Sequence, residues 1–260
     1  VLAELVAMLL GLAWTRTYID SSMRFSWKFI RKLSFMGIKL SGADLMVLVN
    51  AQLNILIIRY LVGDFESVGY FSRGQRIALL AVAAGQAILP LLFSRWASLP
   101  KEKLAVHVEK VLRFSSTVCV IAIAGILLTG KWLILILYGR EFLPAVRPMM
   151  ILVPGAVLYL LSRTLIELLG SRGVPELSAM VLLPVTVVNA AFCWFLIPLM
   201  GIQGAAWAST GGNIVLLVLL MLIIKKKYDI RIMQCIFLRR TEVKSMFRQV
   251  WKEKKGNDTQ

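Results

Sequence analysis

The stretch YFSRGQRIALLAVAAGQAILP, residues 70–90, has the length and apolar character of a membrane span, yet it carries Arg73 and Arg76. An arginine at the centre of a span costs at least ~2.5–3.5 kcal/mol on insertion scales, and such residues nearly always face a polar interior. Either the segment is not a span, or it lines something wet. The rest of the chain decides between these. Of its 260 residues 58% are hydrophobic, and the mean hydropathy is +0.77. A soluble domain would have too little polar surface to cover such a chain. The apolar residues also fall in blocks of roughly 20, the length that crosses a ~30 Å hydrocarbon core. The composition therefore predicts an all-α integral membrane protein, and residues 70–90 are one of its helices.

Working outward, the apolar run 1–14 reads as the end of a helix that began earlier, since the chain opens on Val1 and shows neither a basic leader nor a small-residue cleavage site. Residues 15–39, TRTYIDSSMRFSWKFIRKLSFMGIK, hold six basic residues against one Asp. Arg24, Lys28 and Arg31 recur at helical spacing beside Trp27 and Ile30. That pattern predicts a helix lying in the membrane interface with its basic stripe toward anionic head groups. Six spans follow, at 40–62, 67–93, 112–129, 148–169, 177–198 and 203–224, and WLILILYGREFLPAV before the fourth reads as a short separate interfacial helix. The tail from Lys225 is basic.

The net charge of +16 would suit a nucleic-acid binder if it were spread over a surface. It is not. With loops alternating, the linker, the 94–113 loop, the SRGVPE turn and the tail share one side and hold 23 of the 30 Lys and Arg residues. The opposite side holds three: Lys131, Arg140 and Arg147. The positive-inside rule makes the basic side cytoplasmic and leaves no call for nucleic acid. Cys119, Cys193 and Cys235 have no ligand spacing, and His107 stands alone, so no metal, cofactor or catalytic constellation is expected.

Four cations remain inside spans: Arg59, Arg73, Arg76 and Arg163. Arg59 is one turn from a helix end and can reach the interface. Arg163 has Glu167 one turn away, a ready partner. Arg73 and Arg76 are three residues apart and share a helix face, with Arg76 about 13 Å below Ser67. Few acids lie in the spans, so these two are expected to face water, where an anion could bind. Asn50 and Asn54, one turn apart on the preceding span, are candidate cavity residues by the same logic, although amides in spans also hold helices together. Gly201, Gly204, Ala205, Ala208, Gly211 and Gly212 form a small-residue face for close packing, with no expected substrate role.

Three segments carry a resemblance: VGDFESVGYFSRGQRIALLAVAAGQAILPLLFSRWAS (62–98), ILILYGREFLPAVRPMMIL (134–152) and IPLMGIQGAAWAST (197–210). Together they resemble the polysaccharide (O-antigen) flippase family of the multidrug/oligosaccharidyl-lipid/polysaccharide exporter superfamily, over residues 36–225. The resemblance implies a twelve-helix transporter of two six-helix lobes around a central cavity, in the bacterial inner membrane with both termini cytoplasmic. Residues 1–14 would end the N-terminal lobe, 15–36 form the basic linker, 37–225 the six-helix C-terminal lobe and 226–260 the tail. It further implies movement of undecaprenyl-diphosphate-linked oligosaccharide to the outer leaflet, without covalent chemistry. Polysaccharide polymerase and glycosyltransferases would be neighbours in the process. GQRI resembles the place where related flippases of lipid-linked precursors carry a cavity arginine, and this applies to Arg76; Arg73 extends it on the residues' own spacing. A multidrug antiporter is the alternative within the superfamily, and a non-transporting scaffold for synthesis enzymes the alternative outside it.

Overall fold

The computed structural model describes residues 26–228. The expected truncated span at 1–14, the first half of the linker (15–25) and the tail beyond 228 lie outside the described residues. The chain divides into two compact units, residues 1–38 and 39–260. Among the described residues there is no strand: α1 is Trp27–Val62, α2 Phe65–Ser98, α3 Lys101–Tyr138, α4 Val146–Ser171, α5 Pro175–Met200 and α6 Ile202–Tyr228. A 3-10 turn, Arg140–Ala145, links α3 to α4. Five helices are long and apolar enough to cross a membrane, or six when α2, bent by 47° between its halves, counts as one span. The chain is an all-α, multi-pass integral membrane protein.

Two boundaries differ from expectation. From Trp27 onward, the segment read as a separate interfacial helix is continuous with the first span in α1. WLILILY is not a separate interfacial helix but the end of α3, which runs 38 residues without a break. The reversal comes at Gly139, φ +87°, where a side chain would be strained, and the REFLPA stretch then tightens into the 3-10 turn. At ~1.5 Å per residue α3 is about 57 Å long, well beyond a ~30 Å core. Its charged first turns therefore extend past the hydrocarbon on the basic side.

Within residues 39–228 the bundle is built around α4. About two thirds of its span is buried (67%), against 11% for those of α1 and α3. A helix apolar on every side belongs at the centre of such a bundle. Glycines let its neighbours close in. A Cβ on Gly74 of α2 would sit 3.0 Å from the Ala145 carbonyl, and one on Gly85 would run into Leu160. Gly130 of α3 packs the same way on Met149. Pro154 and Gly155 lie inside α4, where proline removes a backbone bond; side chains of α6 supply donors nearby. Thr210 Oγ1 donates to the Ile151 carbonyl (2.8 Å) and Asn213 Nδ2 to the Gly155 carbonyl (3.0 Å).

Two side-chain cores result. One gathers Phe71, Ile77, Val82, Met149, Val153 and Val157. The other, toward the basic side, gathers Trp96, Leu104, Val108, Leu168, Leu220 and Ile224. The opposite side is trimmed by Asp64, which caps α2 by accepting from the Glu66 and Ser67 amides (both 3.0 Å). Those amides hold its carboxyl below the usual carboxylate range.

The Gly/Ala face of α6 packs as expected from Gly204 to Gly212, whereas Gly201 lies before the helix, at φ +60° with open space about it. A Cβ on Gly204 would collide with the Leu196 carbonyl of α5, and one on Gly212 would press on Asn189 at 3.3 Å. Gly204→Leu should therefore collapse folded yield, read as loss of the monodisperse peak in detergent size-exclusion chromatography, because overpacking at a backbone contact costs about 1–3 kcal/mol or more. Normal yield would show that the α5–α6 contact gives way freely.

Candidate functional site

Asn50 and Asn54 sit one turn apart on α1, and the structure shows what they meet. Asn189 of α5 points its amide nitrogen at both: Nδ2 donates to Asn50 Oδ1 and to Asn54 Oδ1, each at 2.9 Å. The Cys193 thiol, one turn further along α5, donates to the same Asn54 oxygen at 3.1 Å. Asn54 Nδ2 donates in turn to Ser209 Oγ of α6 at 2.9 Å. The first helix of the bundle is thus hydrogen-bonded to the last two. In hydrocarbon such bonds are the cheapest fate for an amide, so holding helices together is one function of this pair.

They also line a cavity of about 270 Å³ between α1, α2, α4, α5 and α6. Its polar lining is Asn50 and Asn54 from α1, Gln75 and Gln86 from α2, Tyr159 from α4, Asn189 from α5, and Ser209 and Asn213 from α6. No Asp, Glu, Lys, Arg or His lines it. Gln75 and Gln86 have no hydrogen-bond partner among the described residues. Asn189 is 2% exposed, and its Oδ1 accepts no bond. A membrane-depth cavity with uncommitted amides and no charge is built for a neutral, hydrogen-bonding occupant, water included.

The arginines stand elsewhere on α2. Arg73 is half-buried, with its guanidinium carbon 5.1 Å from the centre of the Tyr138 ring. Tyr138 and Tyr70 both pack on Phe142, which makes an aromatic group at that end. Arg76 is exposed and forms no ion pair among the described residues. It lies about 160° around α2 from Gly74, the residue against α4, but only about 60° from Leu79. Leu79 lines the cavity, so Arg76 stands by its rim and not inside. The four candidate residues therefore divide into an amide pair within the bundle and an arginine pair on the α2 surface.

Of the other intramembrane charges, Arg163 finds its expected partner and Arg59 rests on an aromatic ring. Arg163 and Glu167 form an ion pair at 3.1 Å. Arg59, near the end of α1, lies over the Phe65 ring at 4.8 Å. Among the described residues no three His, Cys, Asp or Glu side chains converge as a metal site would require.

Sequence reading missed Gln75, Gln86, Asn189 and Asn213. The glutamines carry a signal: eleven residues apart, they return to nearly the same helix face after three turns. Asn189 carried none beyond being an amide in an apolar block. The last span, expected to be structural only, adds Ser209 and Asn213 to the lining.

Asn189→Leu removes the donor that Asn50 and Asn54 share. It should lower stability by about 1–2 kcal/mol, the scale of two interhelical bonds in a membrane protein, read as an earlier thermal aggregation midpoint in detergent. An unchanged midpoint would mean that α1 is held by its apolar contacts alone.

Among known proteins, the sequence profile of a family described as polysaccharide biosynthesis protein matches residues 1–147. That is more than half of the chain, and it takes in all of α1, α2 and α3. No curated protein matches the chain.

Proposed function

We propose that the chain, which belongs to the polysaccharide biosynthesis protein family, is part of a flippase that moves diphosphate-linked lipid oligosaccharides from the cytoplasmic to the outer leaflet. The observation that carries the reading is Arg76: an exposed guanidinium, without an ion-pair partner among the described residues, eleven residues into a membrane helix and beside a cavity of uncharged amides.

The physical problem of such transport is the head group. Each sugar hydroxyl stripped of water without a partner costs roughly 2–7 kcal/mol, so several sugars cannot cross hydrocarbon unaided. Amides that both donate and accept replace that water, while the lipid tail stays in the bilayer. The diphosphate needs the opposite provision, a cation. A guanidinium fork suits two phosphate oxygens, and Arg76, with Arg73 nearer the outer mouth, supplies it. Outward movement of two negative charges down an inside-negative potential gains about 2 × 2.3 kcal/mol per 100 mV. Binding and release by rocking of one bundle against another suffice, and no bond is made or broken. A multidrug antiporter would need an acid for its cationic cargo, and the cavity lining has none.

The basic linker and the tail after Lys225 belong on the cytoplasmic side in this scheme, through the charge imbalance between the two sides. Cysteines placed at positions 28 and 240 should resist an impermeant thiol reagent in intact cells and react after permeabilisation. Labelling from outside would reverse the topology and, with it, the direction of transport.

Export itself is tested by complementation of a strain lacking its own flippase, with membrane abundance followed by immunoblot. Arg76→Ala should abolish export at normal abundance, and Arg76→Lys should restore part of it by keeping charge without the fork. Arg73→Ala should do less. Normal export by Arg76→Ala sinks the diphosphate assignment; disappearance of the protein from the membrane would make Arg76 a folding residue instead.

A further inference from the structure

The amides of the cavity are not equivalent. Asn50, Asn54 and Asn189 are bonded to one another, and Asn213 is bonded to the Gly155 carbonyl. Gln75 and Gln86 are not bonded to any described residue, although both lie in a membrane helix and line the cavity. Buried polar groups are nearly always satisfied, and within hydrocarbon the penalty for leaving them open is higher still. The glutamines therefore have partners that move: water when the cavity is empty, something else when it is filled. Asn189 Oδ1 is unbonded too, but it is fully buried and out of an occupant's reach.

The lining limits what that something else is. A metal cation or an organic cation would need a carboxylate, and a phosphate or uronate would need Lys or Arg; the lining has neither. Gln75 and Gln86 each offer two donors and an acceptor. A polyol presents that mixture. The volume is about 270 Å³. That is just below the usual range for drug-sized ligands and of the order of one sugar ring. The apolar share of the lining, Ala78, Leu152, Ala156 and Leu182, suits the C–H faces of such a ring.

We infer that this cavity is a subsite for one uncharged sugar residue, held chiefly by Gln75 and Gln86, and that it discriminates against acidic sugars. The inference rests on the chain being a carrier of glycosylated lipid. It separates the work of the two helix faces: phosphate recognition outside the bundle at Arg76, sugar recognition inside it.

The test uses the purified protein in nanodiscs, with methyl glucoside and methyl N-acetylglucosaminide as neutral probes and glucuronate as the charged one, followed by saturation-transfer NMR. Saturable binding of a neutral probe, with glucuronate at least about tenfold weaker, is expected because an unpaired carboxylate resists desolvation. In the double variant Gln75→Leu/Gln86→Leu the neutral probe should bind at least about tenfold more weakly, the loss expected of two neutral hydrogen bonds. Leucine makes the helix more apolar and should not hinder insertion; if the double variant nonetheless fails to purify, Gln75→Leu and Gln86→Leu singly must each weaken binding. No saturable binding of either neutral probe, equal binding of glucuronate, or binding indifferent to the glutamines overturns the subsite. Each of those results leaves the Arg76 complementation outcome intact. Normal export by Arg76→Ala, in turn, removes the diphosphate assignment without altering the sugar measurement.

Discussion

The constraint on which the bundle depends is that hydrocarbon offers a polar group nothing to bond. The nitrogen of Asn189 meets that constraint for two residues of α1 at once. This matters because α1 makes few close backbone approaches to its neighbours and much of it is exposed: Leu45, Leu48, Leu56 and Tyr60 all face outward. Apart from the amide cluster, Ile58 is buried in the core and Tyr60 stacks on Trp194 at 6.0 Å. A polar fork added to the apolar contacts of Ile55, Ile58 and Leu61 gives the helix a defined register, since amides do not slide as methyl groups do. The same logic operates at Pro154, where α6 side chains cover carbonyls of α4. α6 thus serves both helices, through Ser209 on one and Thr210 and Asn213 on the other.

A membrane bundle so arranged has little latitude on its tight faces and some on its open ones. Around α4, glycines of α2 and α3 bring backbones to contact, which leaves no room for added atoms. Between α1 and α2 the space is instead left as a polar cavity. Close packing and open volume therefore lie on neighbouring faces of α2, and α4 borders both. Gly74 and Gly85 hold one flank against α4, while Arg76 and Leu79 lie on the exposed side.

Much of this was legible in the sequence because it is periodic or local. Blocks of apolar residues marked the spans, the glycine spacing marked the α5–α6 contact, and Arg163 found Glu167 because helical geometry puts i and i+4 together. The length of α3 was not legible: hydropathy cannot distinguish the last turns of a long helix from the start of a short one, and only Gly139 marks the break. Asn50 and Asn54 could be picked out, but not their partner, which lies 139 and 135 positions away. Periodicity gave the arginines a common face without saying what that face meets. It meets Tyr138 at Arg73 and open surface at Arg76, on the side of α2 away from α4. Gln75 and Gln86 were hidden by their ordinariness; their significance comes from having no partner, and that is a fact of three dimensions.

The overlong α3 has a thermodynamic consequence. Where its first turns leave the hydrocarbon, Leu104 and Val108 pack on Trp96 beside the ends of α4 and α6. The outer part of that core, around Trp96 and Leu104, competes with water, and its burial carries the large heat-capacity change of apolar hydration. The core around Phe71, Met149 and Val153 competes with lipid tails, which are as apolar as its own side chains, so its cohesion comes from dispersion and packing. The two ends of one bundle then respond differently to cold. Chilling weakens the aqueous core while leaving the membrane core nearly untouched, so the basic end is where the fold first loosens as the temperature falls.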